Sequence, residues 1–127
     1  MSETNKVLVN NLCDALTKGV IDDVLACLSD QVFYHNLPYE PIVGRAGVKK
    51  FLGPFVESRN GGLDFIEYHR CVAEGDIVMN ARSETWRYKD VVVVLPVAGV
   101  FKINNNLICE WWDYWDTATL QPILNAV

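Results

Sequence analysis

The chain has little of what nucleic-acid-binding, membrane and secreted proteins require. Its 127 residues include 11 Lys and Arg against 16 Asp and Glu, a formal net charge of -5, and no basic run offsets this balance. The apolar stretch 91–100 is too short for a membrane span, and residues 1–5 lack the basic and apolar regions of a signal peptide. We therefore expect a cytoplasmic protein without nucleic-acid or membrane partners.

Cysteine is also sparse and irregularly spaced. Cys13, Cys27, Cys71 and Cys109 include no CxxC pair, which argues against both a zinc site and a disulfide framework. Half of the residues are hydrophobic, so one domain over residues 1–127 can bury a core without such links. The sequence predicts four reduced thiols and no zinc site.

The first half of the chain reads as helices. Apolar residues recur at helical spacing over Thr4–Lys18, and Asp22 opens a short second helix through Leu28. Gln31–Asn36 is expected to be extended. A third helix is predicted over Arg45–Val56, and Pro54 is expected to end it early because proline breaks the helical hydrogen-bond pattern.

The second half reads as strands. The predicted strands are Leu63–Ala73, Ile77–Tyr88, Val91–Ile103 and Leu107–Asp116, and Asn104-Asn105-Asn106 forms a hairpin turn between the last two. Consecutive strands of this kind pair as antiparallel neighbours. Helices followed by a meander of strands predict an α+β domain, in which the N-terminal helices cover one face of a curved sheet and enclose a pocket.

Charged residues occupy unexpected positions in these strands. Side chains alternate along a strand, so Arg82 and Glu84 share one face of the second, and Trp111 and Asp113 share one face of the fourth. Asp113 then lies in an otherwise apolar row, where an unpaired carboxylate would cost several kcal/mol. Arg82 is the expected partner, because a guanidinium can bridge two carboxylates.

Several segments together resemble one known family, the limonene-1,2-epoxide hydrolases. The segments that carry the resemblance are Tyr34-His35-Asn36-Leu37-Pro38, Val43-Gly44-Arg45, Arg82-Ser83-Glu84, Leu95-Pro96-Val97-Ala98-Gly99-Val100-Phe101 and Trp111-Trp112-Asp113-Tyr114-Trp115-Asp116. This family belongs to the NTF2-like or SnoaL-like group of cone-shaped α+β domains. The resemblance implies that fold, and with the apolar even-numbered face of the last strand it suggests a homodimer.

The resemblance also implies a catalytic set. Asp113 would take a proton from a water that attacks an epoxide carbon, and Tyr34 and Asn36 would hold that water. Arg82 would bridge the two acids, and the acid that protonates the epoxide oxygen would be Glu84, where the family has Asp. The reaction needs no metal or cofactor, because the strained epoxide needs only a base, a positioned water and a proton donor.

The substrate would be a small hydrophobic molecule. We expect Trp111 and Trp86 against it, with Val78, Asn80 and Leu95 as further contacts. Two alternatives remain open on this scaffold. One is another SnoaL-like enzyme, such as an isomerase, dehydratase or cyclase, which the Glu at position 84 favours. The other is a non-catalytic module that binds a small molecule, for which an acid-base set would be superfluous.

Overall fold

The N-terminal helices lie where the apolar spacing predicts them. In a computed structural model, which describes residues 2–58 and 61–126, α1 spans Ser2–Lys18 and α2 spans Ile21–Leu25. The apolar face of α1 is buried. The second helix ends earlier than predicted, because Leu28 already belongs to a strand and pairs with Ile108.

The third helix differs from its prediction at Pro54. α3 spans Arg45–Val56 and continues through this proline instead of ending before it. Pro54 lies near the C-terminal end, where only one hydrogen bond is lost, and the Glu57 amide still donates to the Gly53 carbonyl at 2.9 Å. The helix therefore keeps its last turn, and Phe51 and Phe55 remain on the side that faces the sheet.

Six strands form one sheet in the order β2-β1-β6-β5-β4-β3. Their bounds are Leu28–Asn36 (β1), Ile42–Val43 (β2), Gly61–Glu74 (β3), Ile77–Tyr88 (β4), Val91–Asn104 (β5) and Leu107–Tyr114 (β6). The antiparallel pairing of β4 with β5 and of β5 with β6 confirms the predicted meander. Strand β1 lies parallel to β6, a position in the sheet that was not predicted.

The turn between β5 and β6 confirms the role predicted for its asparagines. Asn105 and Asn106 have φ angles of 53° and 62°, in the left-handed region that Asn tolerates. Just after this turn the register of β6 shifts at Cys109, because Ile103 pairs with Ile108 whereas Lys102 pairs with Glu110. The shift moves the buried side of β6 from its even-numbered residues to its odd-numbered ones.

A C-terminal helix closes the structure, and the sequence reading did not predict it. α4 spans Thr117–Ala126, and β6 ends at Tyr114 rather than at Asp116. The Asp116 carboxylate caps this helix: Oδ1 accepts from the Ala118 amide at 3.0 Å, and Oδ2 accepts from the Thr119 hydroxyl at 3.3 Å. The cap turns the chain back over the sheet.

The core has two parts. A larger cluster joins α1, α2 and the inner face of the sheet, and it includes Leu12, Val24 and Phe101. A smaller cluster lies under α4, where Leu120 and Ile123 pack against β5. Between the two, the concave face of the sheet stays open. None of the helices in the described ranges is long and apolar enough to cross a membrane.

Candidate active site

The polar residues of β4 lie side by side on the buried face of the sheet. Asn80, Arg82 and Glu84 follow one another at alternate positions, and each is at most 6% exposed. Across the sheet, Asn80 pairs with Gly99 of β5, which pairs in turn with Asp113 of β6. The register therefore brings Asp113 close to the β4 row although a strand lies between them.

Gly99 provides the space that this arrangement needs. A Cβ atom at this position would lie 2.7 Å from Arg82 Nη1 and 2.8 Å from Asn80 Oδ1, closer than real side chains approach. The Arg82 side chain can therefore cross β5 over a backbone without a side chain and reach the next strand.

The Arg82 guanidinium holds three partners. Its Nη2 atom lies 2.9 Å from Asp113 Oδ2 and 2.9 Å from Glu84 Oε2, and its Nε atom donates to the same Glu84 oxygen at 3.0 Å. Nη1 donates to Asn80 Oδ1 at 2.8 Å. The two acids singled out in the sequence thus meet on one buried cation, in the bridging geometry that a planar guanidinium allows.

Burial and neighbouring charges set the protonation of this group. Burial raises the pKa of the Glu84 carboxyl, and the nearby Asp113 charge raises it further, against the opposing effect of Arg82. Burial would lower the pKa of the Arg82 guanidinium, but attraction to Asp113 and Glu84 outweighs it and raises this pKa instead. The site therefore combines a permanent cation with a carboxyl that is able to hold a proton.

Asp113 keeps one oxygen without a protein partner. Oδ2 binds Arg82, but Oδ1 is buried and accepts no hydrogen bond from the described residues. Such an atom needs a donor, and a bound water is the usual one in a polar niche. Oδ1 is therefore the Asp113 oxygen that remains to accept a hydrogen bond from a further donor.

Two residues of β1 lie next to this carboxylate. Asn36 is in register with Asp113, and Tyr34 with Trp111, through the parallel pairing of β1 and β6. Asn36 Oδ1 accepts from Trp115 Nε1 at 2.7 Å, which leaves the amide nitrogen as the group that can donate. Burial raises the pKa of the Tyr34 hydroxyl well above its usual range, with a further contribution from Asp113, so this hydroxyl stays a donor.

The carboxyls open into a cavity of about 280 Å³ whose wall is mainly apolar. The rings that line it include those of Tyr39, Phe51, Phe55, Trp86, Trp111 and Trp115. Only a few polar groups converge on this apolar space, and Glu84, Asp113 and Asn36 are among them. This composition suits a small hydrophobic ligand with one polar centre.

The contact residues predicted from the sequence divide into two sets. Trp111, Trp86 and Leu95 line the cavity, but Val78 and Asn80 are not among the residues that do. Helix α1 covers that end of β4: Val78 lies in the larger core cluster, and the Asn80 amide is 3.8 Å from the Cys13 sulfur. These two residues therefore lie outside the cavity, because α1 fills the space above them.

Sequence reasoning also missed residues that shape the site. Trp115 orients Asn36, and Leu120, Ile123 and Leu124 of α4 close the cavity on one side. The spacing of these three apolar residues behind Asp116 is the signal that could have revealed the helix. Asn80, expected to contact substrate, instead holds the Arg82 guanidinium.

The cysteine thiols do not add a second reactive centre to the two acids. All four cysteines are free thiols, and burial raises the pKa of the Cys13 thiol to about 12, so it stays protonated. Across residues 2–58 and 61–126, no three His, Cys, Asp or Glu side chains come together as a metal site would require.

Comparisons with known proteins identify the family of the chain. The model of the limonene-1,2-epoxide hydrolase catalytic domain matches residues 3–125. The epoxide hydrolase EphG of Mycobacterium tuberculosis is 28% identical over 109 residues, which cover 85% of this chain and 70% of EphG.

Solved structures extend the comparison to the fold. An LEH-like epoxide hydrolase of M. tuberculosis has a TM-score of 0.83 at 25% identity, over 98% of this chain and 92% of that one. A protein from Jannaschia sp. CCS1, described as a SnoaL-like polyketide cyclase, has a TM-score of 0.77 at 16% identity, over 99% of this chain and 92% of that one. At this identity the similarity shows the shared NTF2-like fold alone. The family match over nearly the whole sequence shows that the chain belongs to the limonene-1,2-epoxide hydrolase family, whose members are epoxide hydrolases.

Proposed function

We propose that this protein adds water to a small apolar epoxide in one step and releases a vicinal diol. The observation that carries the proposal is the Arg82 bridge: the guanidinium binds one oxygen of Asp113 and one of Glu84, so it holds both acids at one site. Both acids line the same aromatic cavity. Water addition to an epoxide needs one base for the attacking water and one acid for the epoxide oxygen, and we assign these two roles to this pair.

Asp113 acts as the base. Its Oδ1 atom accepts a hydrogen bond from a water molecule, which Asn36 and Tyr34 hold from the neighbouring strand. As the water oxygen attacks an epoxide carbon, one of its protons passes to Oδ1. Positioning by three groups lowers the entropic part of the barrier, since the water is already oriented for attack.

Glu84 acts as the acid. Its raised pKa keeps a proton on the carboxyl at pH values where an ordinary Glu has lost it. This proton passes to the epoxide oxygen as the carbon–oxygen bond breaks, and the product leaves with two hydroxyl groups. Asp113 then holds a proton and Glu84 has none, so one proton returns from Asp113 to Glu84 through solvent before the next turnover.

The longer Glu side chain is accommodated at this position. Glu84 Oε2 lies within 3.0 Å of both Nε and Nη2 of Arg82, so the extra methylene does not separate the acid from its cation. The carboxyl still faces the cavity. Glu in place of Asp therefore changes where the proton is delivered and keeps the acid itself.

We also propose that the protein is a cytoplasmic homodimer. The outer face of the sheet, opposite the cavity, exposes apolar residues on adjacent strands: Val92 and Val94 are each 57% exposed, and Met79 and Tyr114 are close to half exposed. An apolar sheet face of this kind is typical of a buried interface between copies.

The base assignment predicts a large loss of activity in Asp113→Asn. The amide cannot take the proton from water, so kcat should fall roughly 100- to 10,000-fold on the best substrate from a panel of small epoxides, measured as diol formation. Asp90→Asn, which makes the same change at an exposed residue outside the cavity, is the matched control and should retain wild-type turnover. Undiminished turnover in Asp113→Asn would contradict the assignment of Asp113 as the base.

The acid assignment predicts a particular pH dependence. Activity needs the protonated form of Glu84, whose pKa is raised, so kcat should hold above the usual Glu range and fall once pH exceeds the raised value. In Glu84→Gln the rate should drop roughly 100-fold or more, and the fall of kcat at high pH, the basic limb of the pH profile, should disappear. Glu84→Asp should keep the limb but lose up to about a hundredfold, because its carboxyl is drawn back by about 1 Å. A basic limb that persists in Glu84→Gln would assign the acid elsewhere.

The homodimer predicts a mass twice the 14.4 kDa of the chain by light scattering coupled to size exclusion. Val94→Glu introduces a charge on the outer face of the sheet and should shift the population towards monomer. Val7→Glu, an equally exposed position on α1, is the control and should leave the mass unchanged. A wild-type mass of one chain would contradict the proposal.

A further inference from the structure

Trp86 contacts the proposed acid directly. Its indole Nε1 donates to Glu84 Oε1 at 3.0 Å, and the two residues are neighbours on the buried face of β4. Glu84 is thus held at both oxygens, Oε2 by Arg82 and Oε1 by Trp86. Sequence reasoning assigned Trp86 to the substrate wall and did not foresee this contact.

The indole ring is itself fixed by packing. Trp86 meets the Phe55 ring of α3 edge to face, at 6.4 Å between centroids and an angle of 85°. It also packs against the smaller core cluster beneath α4, which includes Leu95. The ring is therefore a rigid support for the carboxyl, whose longer side chain has one more rotatable bond than Asp would have.

The two contacts specify which oxygen can carry the proton. Oε2 already receives the Nε hydrogen of Arg82 and lies 2.9 Å from Nη2, so its lone pairs are directed at the cation. Among residues 2–58 and 61–126, Oε1 receives only the Trp86 hydrogen, which leaves one lone pair for a proton. The protonated acid therefore carries its hydrogen on Oε1.

We propose that Trp86 is a positioning residue that makes Oε1 the proton-donating oxygen of Glu84 and stabilises the charge left there when the proton departs. The inference rests on the proposed function of Glu84 as acid. A hydrogen bond to a carboxylate is stronger than one to a neutral carboxyl, so the indole contact strengthens as the proton moves to the epoxide oxygen. Its contribution is greater in the transition state than in the ground state.

Trp86→Phe tests this role, since it keeps a ring in the wall and removes the donor. We expect kcat to fall roughly 10- to 100-fold with KM changed less than about threefold, because the lost bond is one to a charged group. The Trp86 bond lowers the pKa of Glu84, so its loss should move the basic limb of the pH profile to higher pH. A change in KM alone, with kcat and the basic limb of the pH profile unchanged, would overturn the proposal.

A double-mutant cycle separates this role from a general effect on the cavity. If Trp86 acts through the Glu84 carboxyl, Trp86→Phe should cost little further activity in a Glu84→Gln background. Trp111→Phe is the matched control: this indole lines the same cavity, and its Nε1 has no partner among residues 2–58 and 61–126. Its effect should be the same in both backgrounds. Equal losses from Trp86→Phe in both backgrounds would refute the positioning role.

A titration that needs no turnover distinguishes failure of this inference from failure of the proposed function. Carbon-13 NMR of labelled Glu side chains, with Glu84 assigned by Glu84→Gln, reports the ionisation of this carboxyl in wild type and Trp86→Phe. We expect the Glu84 titration to move to higher pH in Trp86→Phe. An unmoved titration overturns the positioning role even if the enzyme is active, whereas a moved titration without epoxide turnover supports the contact and rejects the epoxide reaction.

Discussion

The buried Arg82 guanidinium is the group on which the rest of the site depends. It is the cation that makes two carboxylates tolerable in an apolar cavity, since an isolated buried charge costs several kcal/mol and removing one partner of a buried pair leaves the others uncompensated. Its charge also allows the two carboxyls to take different roles. Asp113 and Glu84 share one cation but differ in their other contacts, so one can serve as base while the other holds a proton.

The sheet is arranged around the needs of that guanidinium. Gly99 clears a path across β5, Asn80 occupies the remaining side of the cation, and the shift at Cys109 turns Asp113 inward. α1 closes one end of the concave face and α4 the other, and Glu84 and Asp113 line the apolar cavity between them. Fold and site are therefore coupled: small changes in strand register would separate the acids.

Much of this was predictable from residue types and alternation. Because side chains alternate along β4, Arg82 and Glu84 were predicted to share one face. Because a carboxylate in an apolar row needs a cation, Arg82 was predicted to pair with Asp113. Alternation could not reveal the shift at Cys109, which is a property of the pairing between strands. Nor could it show that α1 covers Val78 and Asn80, because the packing of a helix on a sheet depends on contacts distant in sequence.

The origin of the oxygen added in the first turnover tests the central claim, that water held by Asp113 attacks the epoxide directly. Enzyme in molar excess would be mixed, in oxygen-18 water, with an epoxide that it hydrolyses. The diol formed in this single turnover would then be examined by mass spectrometry. Direct attack predicts one labelled oxygen in this first diol and no label in the Asp113 or Glu84 carboxyls. An unlabelled first diol, with label in either carboxyl, would show a covalent ester intermediate and contradict the account.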